Sequence, residues 1–120
     1  MSIHSSVLTG GIGLIEVRGT LLGDDEVSAL RNAVADFVNR HWRRLVIDLS
    51  GATYVNSSAI GVFVSAHTSY ARRQWQIRIC GANKSIGVIF AITKLTQIFS
   101  LHNTREDAIK SFVESPAPQH

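Results

Sequence analysis

The spacing of hydrophobic residues differs from one part of the chain to the next. Over the first 40 residues it predicts a hairpin followed by a helix. Short strand-like runs at Val7–Thr9 and Leu14–Gly19 flank a glycine-rich turn at Gly10–Gly13. Apolar residues then recur at helical spacing, so we expect a helix from about Asp24 to about Arg40. Three carboxylates at its start suit the positive end of the helix dipole. The predicted buried stripe consists of Val27, Leu30, Val34, Phe37 and Val38.

The middle of the chain alternates between apolar strands and a second helix. Leu45–Leu49 is a continuous apolar run, which is typical of a strand buried on both faces, and Ser50–Thr53 is expected to end it. A second helix is predicted to begin near Ser57 and to end at Arg72-Arg73, where cations favour the negative end of the dipole. Trp75–Cys80 is then predicted to form another strand. The core-facing residues expected on the second helix are Ile60, Phe63 and Val64.

The last third of the chain predicts two further helices. The first spans Ser85 to about Thr93, and Ile98–Phe99 is expected to add a brief edge strand after it. Thr104 is placed to cap the final helix, with Asp107 three residues later as in a capping box. The residues expected to be buried by these helices are Ile86, Ile89, Phe90, Ala108, Ile109 and Phe112.

The resulting order, β-β-α-β-α-β-α-β-α, indicates an α/β fold. Alternating strands and helices imply crossovers that leave neighbouring strands parallel, and the opening hairpin makes the sheet mixed but mostly parallel. With 120 residues, the chain fits one domain with about four helices. We expect this domain to span residues 1–113 and a flexible polar tail to span residues 114–120.

Composition and charge narrow the possible partners. The chain has 12 basic and 9 acidic residues, and its arginine pairs Arg43-Arg44 and Arg72-Arg73 are separated in sequence rather than forming a stripe. This pattern predicts no nucleic-acid partner. No apolar run reaches the ~18 residues of a membrane span, and the first residues do not resemble a signal peptide. We therefore expect a cytoplasmic protein without membrane insertion.

No residue pattern indicates an enzyme or a metal site. The histidines are not spaced to share a helical face with one another or with Cys80, and Cys80 ends an apolar strand, where a core role is expected. The nucleophile elbow, the Walker motif and the dinucleotide fingerprint are all absent. We predict no catalytic residue, no metal and no cofactor. The five histidines are His4, His41, His67, His102 and His120.

Thr53–Gly61 is the most informative segment, because it follows the most apolar strand and opens a helix. Asn56, Ser57 and Ser58 offer more capping groups than one helix needs, although simple capping is one interpretation. Binding surfaces of open α/β sheets lie at such strand ends. A phosphate on Ser57 would add about 1.5–2 negative charges that the helix dipole tolerates. A third interpretation is that this helix start binds a nucleotide or another anion, and that Lys84 or the paired arginines assist the binding.

Four segments resemble the STAS domains of bacterial anti-sigma factor antagonists. Asp48–Val62 is similar to that family's strand, Asp-Ser-Ser/Thr-Gly-Leu-Gly turn and second helix, and Ile79–Asn83 is similar to its strand followed by a Gly-x-Asn turn. Ile92–Phe99 resembles its Leu-Thr-Gly-Leu-x-x-Ile-Phe segment, and Thr104–Ile109 resembles its closing helix. The resemblance covers nearly the whole chain in order and implies the STAS fold.

The resemblance also implies a partner-switching role. In that family the unphosphorylated antagonist binds an anti-sigma factor with serine kinase activity, which phosphorylates the first serine of the turn, and a PP2C-type phosphatase reverses the modification. Ser57 matches the acceptor position. We expect a monomer or weak dimer, since no coiled-coil pattern is present. The partner-binding surface implied by the resemblance consists of Thr53, Tyr54, Asn56, Ser57, Ser58 and Ala59.

Three residues depart from the family pattern, and two of these departures support an alternative. Asn56 stands where many phosphorylated members have Asp, and Ala59 stands where they have Gly. Lys94 replaces a Gly after the third helix, a change that is neutral if Lys94 keeps a negative φ. The first two departures favour a role without a kinase, such as the STAS subunit of an ABC-type lipid transport complex that docks on a permease.

Overall fold

The computed structural model describes residues 2–21, 23–99 and 101–114, and it confirms the predicted order of elements. The hairpin, the mostly parallel sheet and four helices are all present. Of the expected tail, Glu114 is the last residue of the final helix, and the rest lies outside the described residues. The elements are β1 (Ser2–Leu8), β2 (Ile12–Leu21), α1 (Asp24–Asn39), β3 (Arg44–Val55), α2 (Ser57–Arg72), β4 (Gln76–Cys80), α3 (Lys84–Ile92), a 3-10 helix (Leu95–Gln97), β5 (Leu101–His102) and α4 (Arg105–Glu114).

The five strands form one sheet in the order β1-β2-β3-β4-β5. β1 is antiparallel to β2, and the other neighbours are parallel. Because side chains alternate along a strand, β3 sends Leu45, Ile47 and Leu49 to the core shared with α1, α2 and α3. Val46 and Cys80 point to the opposite face, where α4 covers them. The carboxyl ends of the parallel strands therefore meet at one edge of the sheet.

β3 is longer than the sequence predicted, because Ser50–Thr53 does not end it. β2 continues to pair with β3 as far as Val55, and the pairing absorbs one extra β3 residue at each of two register shifts. The shifts lie opposite Glu16–Arg18 and Gly19–Thr20. Such β-bulges bend a strand and re-aim its side chains. The polar residues that looked like a strand break are instead a bulged continuation of the strand.

Two other local predictions were wrong. Ile98–Phe99 forms no strand, because Phe99 is buried against Phe90 in the core and the edge strand is β5. Val64 on α2 is 37% exposed, since the helix turns Val62 and Phe63 toward the sheet in its place.

The expectation that Lys94 keeps a negative φ was also wrong, because its φ is +64°. Left-handed backbone costs a residue with a Cβ roughly 1–2 kcal/mol relative to right-handed backbone. The replacement of the family's glycine by Lys94 is therefore not neutral.

α1 ends in a Schellman motif whose turn residue is not glycine. The Trp42 amide donates to the Phe37 carbonyl at 3.0 Å, and the His41 amide donates to the Val38 carbonyl at 3.1 Å. His41 adopts a φ of +62°, the position at which helices commonly place glycine. The Trp42 and Phe37 rings pack edge to face at 6.2 Å, which supplies the apolar contact of the motif.

α2 ends in the same way, so two neighbouring crossovers share one construction. The Trp75 amide donates to the Tyr70 carbonyl at 2.8 Å, and the Gln74 amide donates to the Ala71 carbonyl at 3.0 Å. Gln74 has a φ of +61°, and the Trp75 and Tyr70 rings lie 5.6 Å apart. The Tyr70 hydroxyl also donates to the Trp42 carbonyl at 2.9 Å, which ties the two helix endings together.

Replacement of Gln74 by glycine is expected to stabilise the protein. Glycine removes the left-handed strain at this position, so Gln74→Gly should raise the free energy of unfolding by about 1 kcal/mol. Urea denaturation followed by circular dichroism measures the change. The matched control is Ala35→Gly at an exposed position inside α1, where glycine should instead cost about 1 kcal/mol. Destabilisation by both substitutions would contradict the proposed strain at Gln74.

Candidate functional site

The start of α2 lies at the carboxyl edge of the sheet, directly after β3. Asn56 is the cap of this helix, because its Oδ1 accepts a hydrogen bond from the Ala59 amide at 2.9 Å. Ser57 and Ser58 are the first two helical residues, and both are exposed. Since Asn56 supplies the cap, the serine hydroxyls project at the positive end of the helix without being needed for capping.

The bulges of β3 complete this surface. Between the buried residues Ala52 and Val55, two consecutive residues, Thr53 and Tyr54, point outward, and Tyr54 is 42% exposed. A regular strand would have turned one of the two toward the core. The helix-start surface, as we call it, comprises Thr53, Tyr54, Asn56, Ser57 and Ser58.

Ala59 was predicted to belong to this surface, and the structure corrects that prediction. Its side chain is fully buried in the core below the start of α2. The Ala59 amide donates the cap hydrogen bond to Asn56 Oδ1, so Ala59 contributes its backbone rather than its side chain to this site.

Asn83 supports the helix-start surface from the neighbouring crossover. Its Oδ1 accepts a hydrogen bond from the Ile86 amide at 2.8 Å and thereby caps α3. Its Nδ2 donates to the carbonyl oxygens of Ala52 and Thr53 at 3.3 and 3.4 Å. One side chain thus joins the start of α3 to the bulged end of β3. The Gly-x-Asn turn was the available sequence signal, but it did not disclose this contact.

Gly81 allows the strand ends to approach closely. Its φ is +74°, and a Cβ at this position would lie 2.8 Å from the Ser50 amide nitrogen. The Gly81 amide donates to the His102 carbonyl at 2.9 Å. Only glycine fits this exit from β4 without moving β3, and this exit brings Asn83 to the helix-start surface.

A charged cluster holds α4 at the same edge on the opposite face of the sheet. The guanidinium of Arg105 donates to Asp48 Oδ2 through Nε at 3.2 Å and Nη2 at 3.0 Å, and to Glu16 Oε2 at 2.7 Å. Asp48 Oδ1 accepts from the Ser50 amide at 2.9 Å. Burial alone would raise the pKa of Asp48, but the hydrogen bonds from Ser50 and the charge of Arg105 outweigh it, and the pKa lies below 3.8.

Neither a reactive thiol nor a metal-binding cluster is present among the described residues. Cys80 is fully buried, and burial raises the pKa of its thiol to about 12, which leaves an unreactive thiol. No three His, Cys, Asp or Glu side chains in the described ranges are grouped to hold a metal ion. Among these residues, no helix combines the length and the apolar character needed to cross a bilayer.

Comparison with known proteins places this architecture in a family. A family model for the STAS domain matches residues 6–108. The chain belongs to the STAS domain family. The resemblance of the four sequence segments is thereby confirmed, and the strands and helices described above are those of a STAS domain.

The relatives of this STAS domain include anti-sigma factor antagonists. The anti-sigma-B factor antagonist of Listeria monocytogenes is 36% identical over 59 residues, which cover 49% of this chain and 52% of that protein. The chain thus spans about half the length of the curated relatives it matches.

Two solved structures share the fold. An anti-sigma factor antagonist from Mycobacterium paratuberculosis has a TM-score of 0.80 at 22% identity, covering 92% of this chain and 93% of that chain. The phosphorylated form of the Bacillus cell fate determinant SpoIIAA has a TM-score of 0.75 at 13% identity, covering 92% of this chain and 99% of that chain. At these identities, the likeness shows the fold alone.

Removal of the Asn83 side chain is expected to loosen this STAS domain at two places. Asn83→Ala should lower the free energy of unfolding by about 1–2 kcal/mol, because the α3 cap and the bonds to β3 are both lost. Urea denaturation measures the loss, and hydrogen exchange at Ile86 and Val55 locates it. Asn83→Ser is the matched control, since serine retains a cap acceptor without the amide donor. Equal exchange of Ile86 in the two variants would contradict the capping role of Asn83.

The Asp48–Arg105 pair is expected to make stability depend on acid pH. Because the folded pKa of Asp48 lies below its ordinary value, the pair stabilises the fold fully above pH 3.8. This contribution is lost as the pH falls through the folded pKa. Asp48→Asn should cost about 2 kcal/mol at neutral pH, and the difference from wild type should shrink below pH 3.8. Urea denaturation over a pH series tests this, and a difference that stays constant down to low pH would contradict it.

Proposed function

We propose that this chain is an anti-sigma factor antagonist. It binds an anti-sigma factor through the helix-start surface and is released when Ser57 is phosphorylated. The observation that carries the proposal is the placement of Ser57, which is exposed in the first turn of α2 while Asn56 provides the cap. Membership of the STAS family and the antagonist relatives support it. SpoIIAA, which shares the fold, is described in unphosphorylated and phosphorylated forms.

Charge gives the phosphate its expected effect on binding. Residues 49–105 contain no Asp or Glu, so β3 beyond Asp48 and all of α2, β4 and α3 contribute no carboxylate. A phosphate on Ser57 would introduce about 1.5–2 negative charges into this region. The α2 dipole would stabilise these charges locally, so the fold would tolerate the modification. A partner surface matched to the unmodified region would meet a new charge and lose affinity.

The remainder of the helix-start surface offers contacts of the kind that anchor a protein partner. Tyr54 presents a half-exposed aromatic ring, and aromatic side chains are enriched at interface centres. Val88 and Ile92 on the neighbouring helix α3 are 49% and 74% exposed. Because Asn83 joins the start of α3 to β3, a partner could contact both helices as one rigid surface.

In this function the partners, and not this chain, carry out the phosphorylation and dephosphorylation. The anti-sigma factor supplies the serine kinase activity, a PP2C-type phosphatase removes the phosphate, and all three act in the cytoplasm. This chain then needs neither a catalytic residue nor a cofactor, because its two states differ in the charge on Ser57 alone.

Asn56 is the observation that favours a second candidate function. It caps α2 without the negative charge that many phosphorylated members of the family carry at this position. A STAS subunit that docks permanently on a permease, as in an ABC-type lipid transporter, would not require that charge. Copurification with a permease instead of an anti-sigma factor would favour this second function.

Substitution of Ser57 is expected to separate the two states. Ser57→Asp should weaken binding to the anti-sigma factor from the same cells by about tenfold or more, because it adds a charge at the interface centre. Ser57→Ala should bind as tightly as unmodified protein and should not be released by the kinase and ATP. Isothermal titration calorimetry measures both affinities. Ser58→Asp is the matched control with the same charge one residue away, and it should have a smaller effect.

Equal affinity of wild type, Ser57→Asp and Ser57→Ala would contradict the switch. Phosphopeptide mapping of protein from growing and stressed cells tests it without a purified partner. One phosphate on Ser57 whose occupancy changes with conditions supports the proposal. Protein that is unmodified under every condition would favour the docking subunit.

A further inference from the structure

Arginine pairs that are distant in sequence meet at the amino edge of the sheet, at the opposite end from the helix-start surface. Arg43 and Arg44 lead into β3, and Arg72 and Arg73 end α2 just before β4. β3 and β4 are parallel neighbours, and the Gln76 amide donates to the Arg43 carbonyl at 2.9 Å. We call these four arginines, together with His41, the arginine edge.

The two Schellman motifs hold the arginine edge in place. The His41 and Trp75 rings lie 6.0 Å apart, so the two loops are in contact. The Arg73 guanidinium lies 5.5 Å from the centre of the Trp75 ring and donates to the Ser69 carbonyl at 2.9 Å. The Arg44 guanidinium lies 6.0 Å from the centre of the Phe112 ring. These contacts reduce the conformational entropy that a partner would otherwise have to remove on binding.

Two of the arginines remain available to a partner. Arg43 and Arg72 are exposed, and within the described residues no hydrogen bond, ion pair or ring contact engages either guanidinium. Their chain neighbours offer no compensating charge, because neither residues 37–47 nor residues 49–105 contain Asp or Glu. Asp36, in the last turn of α1, is paired with Arg40 at 2.9 Å. Within the described residues, no carboxylate forms an ion pair with any of the four arginines of the arginine edge.

We propose that the arginine edge binds an acidic peptide segment of a partner protein. Guanidinium groups match carboxylates in charge and in planar hydrogen-bonding geometry. A shallow groove of about 540 Å³ beside Arg43 and Arg44 is lined by the hairpin turn at Gly10–Gly11 and by residues 41–44. The interaction is independent of Ser57, because the arginine edge and the helix-start surface lie at opposite ends of the strands.

The packing of the tryptophans argues against other anionic partners. Trp42 and Trp75 are half-buried and pack edge to face with Phe37 and Tyr70, so neither ring is fully free to stack on a base. Single-stranded nucleic acids gain much of their affinity from bases stacked on free aromatic rings. Membrane interfaces favour aromatic side chains that reach the headgroups. Neither role suits rings that already support the arginine edge.

The test uses the full chain and a fluorescein-labelled oligoglutamate peptide, with binding followed by fluorescence anisotropy at physiological salt. The double variant Arg43→Gln/Arg72→Gln should weaken binding by about tenfold. The matched control, Lys94→Gln/Lys110→Gln, removes the same two charges from exposed positions elsewhere and should leave the affinity unchanged. Circular dichroism confirms that both double variants remain folded.

Each other outcome would overturn the proposal. Equal loss in the two double variants would mean that the peptide responds to net charge rather than to the arginine edge. Absence of binding to the wild-type chain would remove the site. Tighter binding of a single-stranded oligonucleotide, or of vesicles containing phosphatidylserine, than of the peptide would assign the arginine edge to another class of partner.

Discussion

The pairing of β3 between β2 and β4 is the constraint on which the rest of this structure depends. β3 lies in the middle of the sheet, and its side chains supply the core to both faces. Its parallel neighbours force each connection through a helix, so the helices begin at one edge of the sheet and end at the other. The two ends of β3 therefore define the two surfaces with functional interest.

The carboxyl end of β3 is shaped by its bulges and held by side chains from other crossovers. The bulges turn Thr53 and Tyr54 outward, and Asn83 anchors their backbone from the start of α3. Because Asn56 caps the helix, the exposed hydroxyl of Ser57 is not needed to hold the start of α2 in place. Under the proposed function, a phosphate on Ser57 would change the surface charge while the Asn56 cap is retained.

The amino end of β3 has the opposite character. Two helix endings, each with a tryptophan packed on an aromatic residue of the last turn, present arginines that no nearby carboxylate in sequence compensates. His41 and Gln74 adopt left-handed backbone where glycine would be less strained. The end of β3 that carries these arginines therefore lies opposite the end that carries Ser57.

Four features could be predicted from the sequence and are confirmed by the structure: the order of the elements, the hairpin, the core-facing stripe of α1 and the Thr104 cap. These features depend on residues a few positions apart, whose periodicity and capping chemistry are visible in the chain. The tertiary structure alone decided the bulges of β3, the burial of Ala59 and the pairing of Asp48 with Arg105, 57 residues away. Arg43 and Arg72 also lie at the same edge of the sheet only in the folded chain. Which strands pair and how the helices pack depend on contacts between residues distant in sequence, and a local sequence pattern does not show these contacts.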